Sequence, residues 1–228
     1  MKTAAIIAAA GSGRRMGADR NKVLLPVAGQ PVIYYTMSAL AQCGITDSII
    51  LVTRECDIAE CEAIAGRIDI PVRVIAGGNT RQESVFLGLK AAHGTDIAVI
   101  HDGARALVTR EIIESAVKNA VKYGAAAAGV PSKDSLKTVA SDGFITATVD
   151  RASTYLIQTP QVFNYNAIVK AHSSAQRDGF CATDDCAIYE KYCGKIKLTE
   201  GSYDNIKLTT PIDMIIAEQI LKIRKKER

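Results

Sequence analysis

The sequence predicts an α/β fold built on a mostly parallel sheet. Three observations carry that expectation: short apolar, β-branched runs recur along the chain, stretches of helical period separate them, and the first run ends in a glycine-rich turn. Continuous apolar runs suit strands buried on both faces, and their alternation with helices implies right-handed βαβ crossovers.

Residues 4–8 (Ala-Ala-Ile-Ile-Ala) form the first run, followed by Gly11, Gly13 and Gly17. Glycines let a backbone turn with positive φ and approach a ligand closely, and successive N–H groups in such a turn point at anionic oxygens. The spacing Gly-x-Gly-x-x-x-Gly matches neither the dinucleotide fingerprint nor the P-loop. Arg14, Arg15 and Lys22 lie close by in sequence, and such a concentration of cations asks for an anion between them, so the turn reads as a nucleoside triphosphate loop. A purely structural turn after a first strand is the alternative reading.

Further strands are expected at 49–52, 72–75 and 97–100, with helices near 31–43, 57–67 and 80–93. A helix near 109–122 has Thr109 placed as its N-cap, and the small-residue run 125–128 after Gly124 suits a strand packed tightly beneath a helix. The pattern then changes. Two β-prone runs, 135–139 and 144–149, flank the turn Ser141-Asp142-Gly143 and predict an antiparallel hairpin, an arm at about 132–150. Leu136, Val139, Phe144, Ile145 and Val149 need a surface to pack on, which is either another subunit or the arm's own domain. The last helix starts at Pro211, and the spacing of Ile212, Ile215, Ile216, Ile220 and Ile223 predicts a core-facing cover.

The 228 residues suffice for one domain spanning 1–228. A net charge of +4 with scattered basic residues, no Trp and four Phe argues against nucleic-acid binding. No apolar stretch is long enough for a signal peptide or a membrane span, and six cysteines without a C-x-x-C pair suit reduced thiols, so a soluble cytoplasmic protein is expected. Nothing nominates a covalent nucleophile.

In open parallel sheets ligands bind beyond the carboxyl ends of the strands. Two polar segments qualify there: Gly77-Gly78-Asn79-Thr80-Arg81-Gln82-Glu83-Ser84 and His101-Asp102-Gly103-Ala104-Arg105. Asp102 is the best candidate in the chain for holding or orienting Mg²⁺, or for accepting hydrogen bonds from a substrate hydroxyl. His101 reads better as a buried, hydrogen-bonded histidine than as a general base, because a phosphate nucleophile is already ionised. Arg105 is either a ligand contact or a plain partner of Asp102.

Taken in order, AAAGSGRRMG, NKVLLPVAGQPVI, GGNTRQESVFLGL, HDGARALV, VPSKDSLKTV, TVDRASTYLIQTPQVF, TDD at 183–185 and GSYDNIKLTTPIDM resemble the 2-C-methyl-D-erythritol 4-phosphate cytidylyltransferase family over nearly the whole chain. Two positions depart from it: Ala106 where the family often has proline, and Ser135 where threonine is usual, which keeps a hydroxyl. The resemblance implies a Rossmann-like nucleotide-diphospho-sugar transferase fold and a homodimer whose arms cross into the neighbouring site. It implies transfer of CMP from CTP to methylerythritol phosphate, with pyrophosphate leaving and Mg²⁺ or another divalent cation as cofactor. By the same resemblance Ala9, Ala10, Gly11, Ser12 and Gly13 surround CTP, Arg15 and Lys22 meet the triphosphate, and Gly78 and Ser84 lie near the cytidine. Asp102, Arg105, Ser135, Arg151, Thr159 and Lys207 line the acceptor, with Arg105 and Ser135 reaching across the dimer.

That set makes chemical sense. Arg15 and Lys22 suit charge developing on the α-phosphoryl and pyrophosphate, and Arg151 and Lys207 suit aiming one anion at another. Ribitol 5-phosphate cytidylyltransferases share the nucleotide half and differ in the acceptor. A non-catalytic nucleotide-binding module needs fewer than these four cations. A dinucleotide-dependent oxidoreductase lacks both its glycine spacing and an acidic residue directly after the second strand, where Val52-Thr53-Arg54-Glu55 stands.

Overall fold

The structure, a computed structural model, describes residues 1–11 and 20–226. The chain runs β1 (Thr3–Ala8), β2 (Pro26–Val27), β3 (Gln30–Pro31), α1 (Val32–Gln42), β4 (Ser48–Thr53), α2 (Ile58–Ala65), β5 (Val72–Ala76), α3 (Arg81–Ala91), β6 (Ile97–Asp102) and α4 (Arg110–Tyr123). It continues through β7 (Ala125–Pro131), β8 (Lys137–Val139), β9 (Ile145–Thr148), β10 (Tyr155–Asn164), α5 (Tyr165–Arg177), α6 (Asp185–Tyr192), β11 (Lys197–Glu200) and α7 (Pro211–Lys226). Among the described residues the main sheet has seven strands in the order β11-β7-β10-β6-β1-β4-β5. All its pairings are parallel except the two made by β10, which runs antiparallel to both β6 and β7.

Alternation along β1 builds a core on each face, because successive side chains of a strand point to opposite sides. Ala5 and Ile7 pack with Ile33, Met37 and Leu40 of α1 and Ile113 and Ala116 of α4. Ala4 and Ile6 pack with Val85 and Leu89 of α3 and Ile168 and Ala171 of α5. Helices on both faces explain why the strands read as unbroken apolar runs. The residues of β7 expected to pack tightly, 125–128, are all buried. Thr109 does precede α4 with extended backbone, but its side chain makes no capping hydrogen bond to the helix.

The parallel strands and their helices form where the apolar pattern places them. Six elements were not expected: β2, β3, β10, α5, α6 and β11. β10 exposes its first three residues, Tyr155, Leu156 and Ile157, and buries Gln158, Thr159 and Gln161 beyond them, inverting the usual rule. α5 and α6 mix apolar and polar buried side chains, Ile168, Ala171 and His172 in the first and Asp185, Ile188 and Tyr189 in the second, and the short β11 buries Thr199. No described helix is long and apolar enough to cross a membrane, and the six cysteines are free thiols.

The final helix requires a correction. α7 docks through Ala217, Met214, Leu221 and Ile220 onto Val27, Val32, Ala106, Leu107 and Leu208, whereas Ile212, Ile215, Ile216 and Ile223 are exposed. The isoleucine spacing marks a helical face truly enough, but the face that meets the core is the adjacent one, where the small Ala217 permits close approach. Ile215→Ser should therefore change stability in urea by less than about 0.5 kcal/mol, while Leu40→Ala should cost about 2–5 kcal/mol. Equal losses would show that the isoleucine face is the buried one.

Candidate active site

The ends of the glycine-rich turn are pinned to the sheet. Its start is fixed where Ala9 N–H donates to the Val52 carbonyl (2.8 Å). Its end is fixed by Asn21, fully buried, whose amide donates to the Ala9 carbonyl (2.8 Å) and to Asp57 Oδ2 (2.8 Å). Asp57 is gripped in turn by Arg54 Nε and Nη2 at 2.6 and 2.8 Å. Burial pushes the Asp57 carboxyl up, but hydrogen bonds from Arg54 and Asn21 outweigh it and hold the group below the ordinary range. Lys22 follows Asn21 directly and starts a short turn. Ser12, Gly13, Arg14 and Arg15 lie outside the described residues.

Gly77 brings the second segment against this turn. Its N–H donates to the Thr53 carbonyl (2.7 Å), and a Cβ there would stand 2.7 Å from both Ala10 Cβ and Ser84 Oγ. Only glycine permits that approach. Ser84 Oγ accepts from Gly78 N–H (3.1 Å) and donates to the Thr80 carbonyl (2.8 Å), while Thr80 and Glu83 form a capping box at the start of α3. Ala10, Gly78 and Ser84 are thereby brought together. Ser84 is buried, so its hydroxyl shapes the segment around Gly78.

Asp102 ends β6 level with Ala8, the last residue of β1. It is 6% exposed and gathers three cations: Lys207 Nζ at 2.8 Å, Arg81 Nε at 3.3 Å and Arg105 Nε at 3.7 Å. Burial raises its pKa, but Arg81, Lys207 and Arg105 outweigh burial and drive it far below the carboxylate range. Burial pulls the Arg105 guanidinium down from its ordinary value, with Asp102 opposing. Lys207 arrives on the segment after β11, which Asn205 holds down by donating to Gln158 Oε1 (3.1 Å) and the Thr159 carbonyl (3.0 Å).

Thr159 and His101 hold the backbone on either side of this carboxylate. Thr159 Oγ1 accepts from Asp102 N–H (3.0 Å) and lies 3.0 Å from His101 Nδ1, while His101 Nε2 lies 3.2 Å from the Arg105 carbonyl. One tautomer satisfies all four groups, with Nε2 donating and Nδ1 accepting. Burial lowers the His101 pKa to about 4, so the ring stays neutral and structural.

The donor chemistry around Asp102 does not fit a metal held by the protein. A divalent ion on this carboxylate would meet three cations already there, and among the described residues no three His, Cys, Asp or Glu side chains converge as a metal site. Asp102 is an organiser of cations.

Arg105 and the arm complete the account of the expected residues. Arg105 Nη1 donates to the Asn205 carbonyl (2.6 Å), and its side chain is 12% exposed. Ser135 and Arg151 are exposed, Arg151 donating to the Lys133 carbonyl (3.3 Å) at the base of the arm. Among the described residues β8 and β9 pair only with each other. Sequence reasoning passed over Asn21, Asp57, Arg81, His172 and Asp185. Arg81 and Asp185 stand inside quoted motifs, each at the first turn of a helix, and for Arg81 that helix lies beyond a strand, which is the signal that was available.

The His101 pKa gives a pH test. Its folded value lies below the unfolded 6.5, so its contribution is present above about pH 6.5 and lost as pH falls toward 4. Between those limits the wild type should lose about 3 kcal/mol more than His101→Gln, measured by urea unfolding. Parallel pH profiles would contradict a buried neutral ring.

Comparison with known proteins agrees with this geometry. The family model for 2-C-methyl-D-erythritol 4-phosphate cytidylyltransferase matches residues 3–223. A protein of that name from Clostridium acetobutylicum is 42% identical over 221 residues, 96% of each chain. Another from Caldanaerobacter subterraneus subsp. tengcongensis is 44% identical over 97% of this chain and 100% of its own. The crystal structure of 4-diphosphocytidyl-2C-methyl-D-erythritol synthase from Anaerococcus prevotii superposes with a TM-score of 0.87 at 32% identity, covering 97% of this chain and 98% of that one. The chain therefore belongs to the 2-C-methyl-D-erythritol 4-phosphate cytidylyltransferase family.

Proposed function

We propose that this chain, as one nucleotidyltransferase domain, transfers CMP from CTP to 2-C-methyl-D-erythritol 4-phosphate. An acceptor phosphate oxygen attacks the α-phosphorus of CTP, and the bond from that phosphorus to the bridging oxygen breaks. Pyrophosphate leaves with the electron pair, and 4-diphosphocytidyl-2-C-methyl-D-erythritol is formed. The nucleophile is already an anion, so no general base is required. The observation that carries this reading is the gathering of Lys207 and Arg105 on Asp102, level with the end of β1 where the glycine turn starts, in a member of this family.

In this reading Ala9, Ala10, Gly11, Ser12, Gly13, Gly78 and Ser84 surround CTP, and Arg15 and Lys22 meet the charge that develops on the α-phosphoryl and leaving pyrophosphate. Lys207, Arg105 and Arg151, with Ser135 and Thr159, bind the acceptor. Two anions are thus brought within bonding distance because cations stand between and behind them. Mg²⁺ or another divalent ion is the proposed companion of the triphosphate, with no protein ligand assigned to it. A reducing, cytoplasmic setting suits the six free thiols.

A homodimer formed through the arm belongs to the same proposal. Val139, Phe144 and Ile145 are 57, 74 and 65% exposed, and Tyr155, Leu156 and Ile157 extend the apolar surface along β10. Such a patch supports a partner surface. A second copy seated on it would bring Ser135 and Arg151 toward the neighbouring site.

Purified protein with CTP, Mg²⁺ and methylerythritol phosphate should release pyrophosphate. Turnover with ribitol 5-phosphate and none with methylerythritol phosphate would overturn the acceptor assignment. The double variant Phe144→Ser, Ile145→Ser should sediment as a folded monomer with turnover reduced at least about tenfold. A fully active monomer would show that the arm takes no part in the site.

A further inference from the structure

One cluster of buried polar groups has no part in the roles assigned so far. Asp185 and His172 are 0 and 1% exposed, and Arg81 links them to Asp102. Asp185 is the first residue of α6, and its N–H and that of Cys186 donate to Gln161 Oε1 at 3.1 and 3.2 Å. Gln161 lies on β10 opposite Ile100 of β6, so Asp185 is anchored to the strand beside the one that carries Asp102. One Asp185 oxygen accepts from Arg81 Nη1 (2.8 Å), and the other accepts from His172 Nε2 (3.0 Å). The His172 ring stacks on Phe86 at 5.6 Å, which fixes its plane.

The consequence concerns orientation. Lys207 takes one Asp102 oxygen, Oδ2, and Arg81 takes the other, Oδ1. A carboxylate held on both oxygens by cations cannot swing about its last torsion, and a guanidinium held by a buried carboxylate cannot swing toward water. We propose that His172, Asp185 and Arg81 are positioning residues for the acceptor subsite: they fix the Asp102 carboxylate in the orientation from which it presents Lys207 and Arg105 to the incoming phosphate. The proposal rests on the cytidylyltransferase reading above.

The cytidine segment has its own supports. Gly78, Thr80, Glu83 and Ser84 bond among themselves without the Arg81 side chain. Loss of the brace therefore falls on the acceptor and spares CTP. In the full-length protein, Asp185→Asn and Arg81→Met should each lower kcat/KM for methylerythritol phosphate by about 10–100-fold, as expected for misplaced groups. CTP affinity measured by calorimetry should stay within about twofold, since no contact to it is removed. Circular dichroism establishes that each variant is folded, and if Asp185→Asn is not, Arg81→Met alone decides. Wild-type acceptor kinetics in a folded variant, or equal losses for both substrates, would overturn the proposal. Wild-type protein silent with this acceptor would instead overturn the functional reading, and the inference with it.

Discussion

A buried carboxylate must be paired, and at the carboxyl end of β6 Asp102 is paired three times over. The rest of the site depends on that excess. Three cations face two buried carboxylates, Asp102 and Asp185, so the cluster keeps a positive surplus in a partly desolvated place. Among the described residues the Arg105 Nε has no hydrogen-bond partner, and Lys207 remains 38% exposed at its side chain. Such an arrangement is preorganised for an anion: the cost of bringing like charges together was met during folding, and an incoming phosphate relieves it. The same logic disfavours a metal on Asp102 and favours a neutral His101 beneath it.

The fold serves this arrangement by converging several separate stretches on one edge of the sheet. β1 carries the glycine turn, β6 carries Asp102, and β10, antiparallel to both its neighbours, brings Thr159 under Asp102 and Gln161 under α6. The segment after β11 crosses back to deliver Lys207, tied down through Asn205. Each contributor is held by backbone or buried amide bonds instead of by its charge alone. That rigidity matters more for catalysis than any single contact, since displaced cations stabilise the ground and transition states alike.

Much of this was legible in the sequence, for identifiable reasons. Unbroken apolar runs at 4–8, 49–52 and 97–100 give central parallel strands because both faces are covered, the run 72–75, interrupted by Arg73, gives the partly exposed edge strand β5, and the Asp-Gly turn gives the hairpin because Gly143 needs a φ of +90°. Asp102 was legible as a polar residue directly after such a run. β10 was not, since its buried half carries Gln158, Thr159 and Gln161, polar side chains whose hydrogen-bond partners lie far away in the chain. Arg81 and Asp185 were hidden for the same reason: their pairing joins residues 104 apart. The isoleucine stripe of α7 misled because periodicity reports that a helix has an apolar face and says nothing of what covers it.

The central claim is that Asp102 acts by holding Lys207, so the two side chains form one functional unit. A double-mutant cycle on kcat/KM for methylerythritol phosphate tests it most directly, using Asp102→Asn, Lys207→Met and the pair together. If the account holds, the double variant loses little more than the more damaged single variant. Losses that simply multiply would mean that the carboxylate and the ammonium contribute independently, and that Asp102 does not organise the site.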